Sequence, residues 1–290
     1  MKKDLRIGLL FALPWILGFI IFLAYPVLAS LYYSFTNFSI LREPSYVGVD
    51  NYAELASDTV FHKALINTLI YAVGAVPLST VVAIGLAMLL NTKVKGMSYY
   101  RTIFFLPSLV PMVALGTLFL WIFNGDYGLL NEGIRAANLE PPNWLGDPAW
   151  SKSTLMLISM WGCGQAMVIY LAGLQNVPVS LYEAADLDGA KLGKKIWNVT
   201  LPMLSPVILF NVVMGIIGAL QVFAVPYVMF PGGAPARSTY FIASYLFDNA
   251  FQYQRMGYAS AVGWVMFIIT LVLTLLALKI SDRHVHYETE

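Results

Sequence analysis

The sequence predicts an all-α, polytopic membrane protein with six transmembrane helices and both ends on the cytoplasmic side. Three observations carry this prediction. Of 290 residues, 59% are hydrophobic and 11% charged, against roughly 25% charged in an ordinary soluble domain. The apolar residues fall in six stretches bounded by charges at 6–42, 63–93, 101–126, 152–183, 195–237 and 255–279, and no Asp, Glu, Lys or Arg lies inside any of them. Each stretch can supply the roughly 20 apolar residues that a helix needs to cross the hydrocarbon core. The third observation is the placement of cations, which favour cytoplasmic loops. With the N-terminus inside, that face holds Lys2, Lys3, Arg6, Lys93, Lys95, Arg101, Lys191, Lys194, Lys195, Lys279 and Arg283. The outer face holds Arg42, Lys63, Arg135, Lys152, Arg237 and Arg255 although its loops are longer.

The first stretch opens on Met-Lys-Lys-Asp-Leu-Arg, a start that also suits a cleaved signal. Its apolar run from Ile7 to Leu31, carrying Trp15, Tyr25 and Pro26, outlasts the about 7–15 apolar residues of a signal, so it is read as a retained first helix. Prolines 14, 26, 77, 107, 111, 206 and 226 fall within the stretches. Membrane bundles tolerate them because neighbouring helices and local adjustments satisfy the freed carbonyls. They suit either kinks around a pathway or packing irregularity. Gly162-Cys163-Gly164 in the fourth stretch reads as close helix packing rather than a reactive thiol.

The inner connection between the fourth and fifth helices, about 175–203, is longer than most loops. Ser180 and Glu183 have the spacing of a capping box. They predict a short helix from near Leu181 to near Gly189, with glycine just past its end. A second short stretch is expected over 190–199, and Leu201-Pro202 opens the fifth membrane helix. No linker, low-complexity run or repeat divides the chain, which reads as a single transmembrane domain, 1–290.

Several chemistries find no support. Cys163 is the lone cysteine, and His284 and His286 read as a solvated polar tail, so no metal site is expected. No Gly-x-x-x-x-Gly-Lys-[Ser/Thr] loop, His-Glu-x-x-His or Gly-x-Ser-x-Gly occurs, so no ATP binding, catalytic residue or cofactor is expected. Absence of intramembrane charge argues against an ion-coupled transporter. A net charge of +1 gives no reason to expect nucleic acid as a partner.

The loop carries a resemblance. Glu183-Ala184-Ala185, three residues, Gly189, nine residues, Val199, one residue and Leu201-Pro202 is similar to the signature loop of binding-protein-dependent ABC importer permeases, departing at Val199, where isoleucine is usual. Arg101-Thr-Ile-Phe-Phe-Leu-Pro107, Phe123-Asn-Gly-Asp-Tyr-Gly-Leu-Leu-Asn131, Leu174-Gln-Asn-Val-Pro178 and Gly257-Tyr-Ala-Ser-Ala261 resemble the sugar-permease branch. That branch includes maltose, lactose, raffinose, trehalose and glycerol-phosphate permeases. Pro231-Gly-Gly-Ala-Pro235 departs from it by one inserted alanine. The resemblance implies a bacterial inner-membrane permease subunit of an ATP-driven importer. Its implied partners are a second related permease, two copies of a cytoplasmic ATPase, an extracytoplasmic solute-binding protein and membrane lipid. It further implies that Glu183, Ala184, Ala185, Asp188 and Gly189 form the surface that couples to the ATPase.

A sugar path needs uncharged hydrogen-bonding groups, aromatic faces and apolar walls. Gln165 near the middle of the fourth stretch, with Trp161 one turn outward on the same face, meets that need. In the fifth, Gly215, Gly218, Ala219 and Val222 leave room and Gln221 adds an amide. The resemblance implies that these two helices contribute to a mid-membrane site. The lack of cations in the stretches favours a neutral mono- or oligosaccharide over a phosphorylated one.

Overall fold

The structure, a computed structural model, describes residues 2–92 and 94–281. Lys93, Arg283, His284 and His286 lie outside the described residues. Every regular element among those described is helical, beside two isolated bridges that pair Thr36 with Tyr46 and Ser39 with Arg42. Four helices are long and apolar enough to cross a membrane: Leu10–Tyr33, Thr59–Leu90, Leu192–Met229 and Met256–Ser281. Two further candidates are bent pairs. Met97–Leu109 meets Met112–Ile122 at 99°, and Pro148–Trp161 meets Gly164–Gln175 at 48°. Among the described residues the candidate crossings thus number four, or up to six if each bent pair is one.

The prolines explain where helices bend and where they do not. Pro14, Pro77 and Pro206 sit inside helices that continue through them. Pro26 and Pro202 each follow a π-helical turn, Ile20–Ala24 and Ile196–Thr200. There the N–H of Tyr25 reaches back to Ile20 and that of Leu201 to Ile196, five residues away. A proline ring strikes the carbonyl four residues earlier and offers it no N–H, so the wider turn relieves both problems. Pro107 and Pro111 fall on either side of the sharp bend, in the 3-10 turn Leu106–Leu109 and at the cap of Met112–Ile122. The third apolar stretch is therefore no straight crossing.

Contacts divide the chain into two compact units. One comprises Met1–Phe61 and Tyr245–Ile268. Its non-helical backbone is satisfied partly by side chains and partly by other backbone. Asn51 donates to the carbonyls of Ser34 and Thr36, both at 2.8 Å, and the N–H of Gly257 donates to Phe38 at 2.9 Å. Asp58 accepts from the hydroxyls of Tyr245 and, at 3.1 Å, Tyr258, which themselves lie 2.8 Å apart. Arg255 pairs with Glu54 and lies over the Tyr258 ring.

The other unit comprises His62–Ser244 and Ile269–Glu290. One of its apolar cores joins Tyr71, Ala75, Phe119, Phe123, Ile158 and Phe241. A second joins Ala83, Ala87, Met167, Tyr170, Leu174 and Leu204. The irregular segment 230–241 is anchored by buried polar groups. Asn67 donates to the carbonyls of Arg237 and Tyr240 at 2.8 and 3.1 Å, Lys152 donates to Asn67 and to the Ser238 carbonyl, and Thr68 accepts from the N–H of Ile242.

Burial raises the Asp58 carboxyl, but hydrogen bonds from Tyr245, the N–H groups of Val60 and Phe61, and Tyr258 outweigh it and hold the group below its ordinary value. A depressed carboxylate contributes stability that is present above the unfolded value near 3.8 and is lost as pH falls through the lower folded value. Asp58→Ala is accordingly expected to cost about 1–3 kcal/mol in detergent-solubilised protein from pH 5 to 8. Thermal unfolding checks it; an unchanged midpoint across that range removes the cluster from the forces that hold this unit.

Candidate functional site

Two adjoining cavities open within the larger unit. The first, about 280 Å³, is bounded by Tyr71 and Ala75 of Thr59–Leu90, Leu155 and Ile158 of Pro148–Trp161, and Gly218, Ala219 and Val222 on or just beyond Leu201–Leu220. The second, about 390 Å³, is lined by Thr80, Gln165, Tyr170, Phe210, Asn211 and Met214. Val76, Ser79, Ser159, Gly162 and Gly215 line both, so the two form one polar-dotted apolar space. No charged side chain lines either. The arrangement suits a solute that presents hydroxyls and hydrophobic faces, because neutral hydrogen-bonding groups in an apolar wall give orientation without the desolvation cost of a charge.

The break at Gly162 and Cys163 sets this geometry. Both residues depart from helical ψ, at 7° and 6°, so the chain leaves one helix and starts the next at an angle. Gln165 thereby falls in the first turn of Gly164–Gln175 and reaches the second cavity. The expectation that Trp161 shares its face fails, because the two residues are on different helices. Trp161 instead packs edge-on against Phe119, with ring centroids 5.5 Å apart, and lines neither cavity. Gln221 is likewise displaced. It caps the end of Leu201–Leu220, is exposed, and lines neither cavity. Gly215, Gly218, Ala219 and Val222 do line the space, but Gly215 also meets a neighbour: a Cβ there would lie 3.2 Å from Val76.

Sequence reasoning did not single out Tyr71, Ser79, Thr80, Ser159, Tyr170 or Asn211. Their signal was present as isolated polar residues within apolar stretches. Depth along one helix at a time does not tell which helices meet, and the first cavity lies where Thr59–Leu90, Met112–Ile122, Pro148–Trp161 and Leu201–Leu220 do. Gly164 belongs to packing, as the sequence suggests. A Cβ on it would stand 3.0 Å from the Phe104 carbonyl oxygen and 3.1 Å from the Phe105 Cα.

The loop after Gly164–Gln175 carries a helix, Val179–Leu187, that begins two residues earlier than expected. Its cap is Pro178, and no side chain caps it, so the Ser180–Glu183 capping box does not form. Proline at that position has no N–H for a glutamate to satisfy, and its fixed φ of −57° already starts the turn. The far end follows the sequence. Gly189 has φ +68°, its N–H donates to Asp186 and the N–H of Ala190 to Ala185, which is a Schellman ending. Asp186 pairs with Lys195 and the Tyr182 hydroxyl meets Thr200 at 3.0 Å. The next helical run starts at Leu192 and continues through Pro202 without a break, so the loop is shorter than the expected 175–203. Glu183, Ala184, Asp188 and Gly189 are exposed and Ala185 half-buried. Leu187 is 90% and Leu192 74% exposed, large apolar side chains on a loop that the chain itself leaves uncovered.

The pattern of the family described as binding-protein-dependent transport system inner membrane component matches residues 75–287. The chain belongs to this family. The permease is 39% identical over its whole length to the "Probable ABC transporter permease protein YesP" of Bacillus subtilis (strain 168), covering 94% of that protein. It is 35% identical to the arabinooligosaccharides transport system permease protein AraP of the same organism, with 94% of this chain and 87% of AraP covered. Among solved structures it is similar to a chain of a bacterial alginate ABC transporter in complex with alginate pentasaccharide-bound periplasmic protein. That likeness has TM-score 0.84 and 26% identity, and covers 97% and 96% of the two chains. The permease is thus an inner-membrane component of an ABC transport system and not itself its ATPase.

Two glycines of the site separate packing from space. Gly164→Ala is expected to destabilise by about 1–3 kcal/mol, since the atoms it meets are backbone and cannot turn aside. Gly218→Ala is expected to cost nothing measurable, because no atom lies within 4 Å of its added Cβ. Thermal unfolding of the two variants side by side checks the contrast, and equal losses would contradict it.

Proposed function

We propose that this chain is the translocating permease subunit of an ATP-driven sugar importer, and that a neutral mono- or oligosaccharide passes through the two adjoining cavities. The observation that carries this reading is the uncharged lining, in which Gln165, Asn211, Ser79, Thr80 and Ser159 interrupt apolar walls. The relatives support it, since one is an arabinooligosaccharide permease. The solved neighbour belongs to an alginate transporter. An anionic saccharide calls for cations on the walls, and neither cavity has one.

In this reading the chain is one transmembrane domain that crosses six times with both ends inside. Counting each bent pair as one crossing supports the number, and the cation distribution supports the side. All three boundaries between the compact units fall inside helices, in Thr59–Leu90, Ile242–Phe247 and Met256–Ser281, consistent with one domain. Energy comes from outside the chain, because its sequence has no phosphate-gripping loop. A second permease and an external binding protein complete the pathway, and two ATPase copies drive it. Glu183, Ala184, Ala185, Asp188 and Gly189 form the surface that meets the ATPase, with exposed Leu187 and Leu192 as apolar anchors beside them.

Gly189→Pro is expected to abolish uptake while insertion persists, because proline cannot adopt φ +68° and removes the N–H that donates to Asp186. A bulky charge at Ala184 should act alike by entering a close contact. ATPase co-purification should fall in parallel, and normal transport by both variants sinks the coupling role. Reporters fused after Lys95 or within 191–195 should signal the cytoplasm, and those near Glu54 and Pro235 the exterior; an external signal at 191–195 overturns the orientation.

Gln165→Ala should lower uptake of a transported sugar about 2- to 150-fold with ATPase assembly retained, the loss of one or two neutral hydrogen bonds. A direct contact alters the ratio of uptake between two related sugars. An unchanged ratio with reduced thermal stability would withdraw Gln165 from the path.

A further inference from the structure

A separate groove of about 390 Å³ lies between the helices Met97–Phe105 and Gly164–Gln175, within the size range of small-molecule sites. One edge is polar. Ser98, Arg101 and Thr102 come from the first helix, and Gln175 is the last residue of the second. The walls beyond that edge are apolar, made by Phe105, Leu171 and Ala172. Because Gln175 leads directly into the loop helix, the polar edge faces the coupling end of the molecule.

Arg101 is held in place and still has capacity. Its Nε and Nη2 donate to the carbonyl of Leu90, at 3.3 and 3.0 Å, satisfying one of the orphan carbonyls at the end of Thr59–Leu90. Among the described residues, Nη1 has no acceptor. No Asp or Glu occurs between Asp58 and Asp126 or between Asp147 and Glu183, so neither helix brings a carboxylate to the groove, while Lys95 stands just ahead of it. Tyr99 and Tyr100 beside Arg101 are 78% and 51% exposed, as aromatic residues are at the headgroup level of a bilayer.

We propose that this groove seats one anionic phospholipid of the cytoplasmic leaflet, its phosphate on Arg101 and its acyl chain against Phe105, Leu171 and Ala172. Ser98, Thr102 and Gln175 supply hydroxyl and amide groups to the glycerol and headgroup. A guanidinium pairs with phosphate in a planar, directional way, and a polar rim above an apolar wall matches the two ends of a lipid. The choice of leaflet rests on the reading that the coupling loop is cytoplasmic.

The test uses the full chain in its assembled importer, solubilised in mild detergent and titrated with phosphatidylglycerol, phosphatidylethanolamine or inorganic phosphate, with bound molecules counted by native mass spectrometry. Arg101→Ala also removes the bond to Leu90, so Ala172→Phe is made alongside it; that variant fills the groove and leaves Arg101 in place. The wild type should retain one more phosphatidylglycerol per permease than Ala172→Phe. Binding should be about 5-fold weaker or more in both variants, with phosphatidylethanolamine unaffected. Equal retention by wild type and Ala172→Phe overturns the site, and displacement of phosphatidylglycerol by inorganic phosphate assigns the groove to the free ion instead. Lipid counting in detergent is blind to sidedness, so its failure leaves the coupling reading intact. An external reporter signal at 191–195 would overturn the leaflet and not the binding.

Discussion

Where no water competes, each backbone N–H and C=O must find a partner within the protein, and this obligation shapes the chain more than any single contact. Helices meet it along most of the length, and the exceptions show how it is met elsewhere. The π-helical turns before Pro26 and Pro202 reroute a hydrogen bond that proline cannot make. The carbonyls of Arg237 and Tyr240, in a segment that is not helical, accept from Asn67. Leu90, at the end of its helix, is served by Arg101. Polar side chains in this molecule thus mostly serve the backbone, and on the cavity walls Ser79, Ser159 and Asn211 do the same, donating to the carbonyls of Val76, Met156 and Val207.

The break at Gly162 and Cys163 borders both cavities and shapes them. A straight helix through Gly162 and Cys163 would direct Gln165 and Trp161 to the same side. The 48° break sends Trp161 to Phe119 and Gln165 to the space shared with Asn211 and Thr80. A side chain at Gly164 would then press on its neighbours, since the start of the second half lies against the backbone of Phe104 and Phe105. The same interruption that brings Gln165 to the cavity therefore fixes how closely the neighbouring helix approaches.

The loop helix joins the membrane part through few but specific ties. Asp186 to Lys195 and Tyr182 to Thr200 brace Val179–Leu187 against the root of the run that begins at Leu192. That run continues without a break into Leu201–Leu220, whose Gly215, Gly218 and Ala219 border the first cavity. A displacement of the loop helix by a partner has a continuous rigid element along which to act, and the π turn at Ile196–Thr200 is its one local irregularity before the proline.

The sequence by itself determined the helical class, the six apolar stretches, the glycine that ends the loop helix and the uncharged character of any path, because these follow from local chemistry: composition, charge and the φ that only glycine adopts without strain. Gly189 was legible for that reason. The start of its helix was misread, since Pro178 competes with Ser180 for the cap and a fixed φ wins over a side-chain bond. Only the tertiary structure decided that the third stretch bends by 99°, that Trp161 and Gln221 leave the cavity, and that Ser79, Ser159 and Asn211 enter it. Those outcomes depend on which helices meet and at what angle. In a chain whose apolar stretches are alike in hydropathy on every face, periodicity carries almost no information about that choice; side-chain packing between helices makes it.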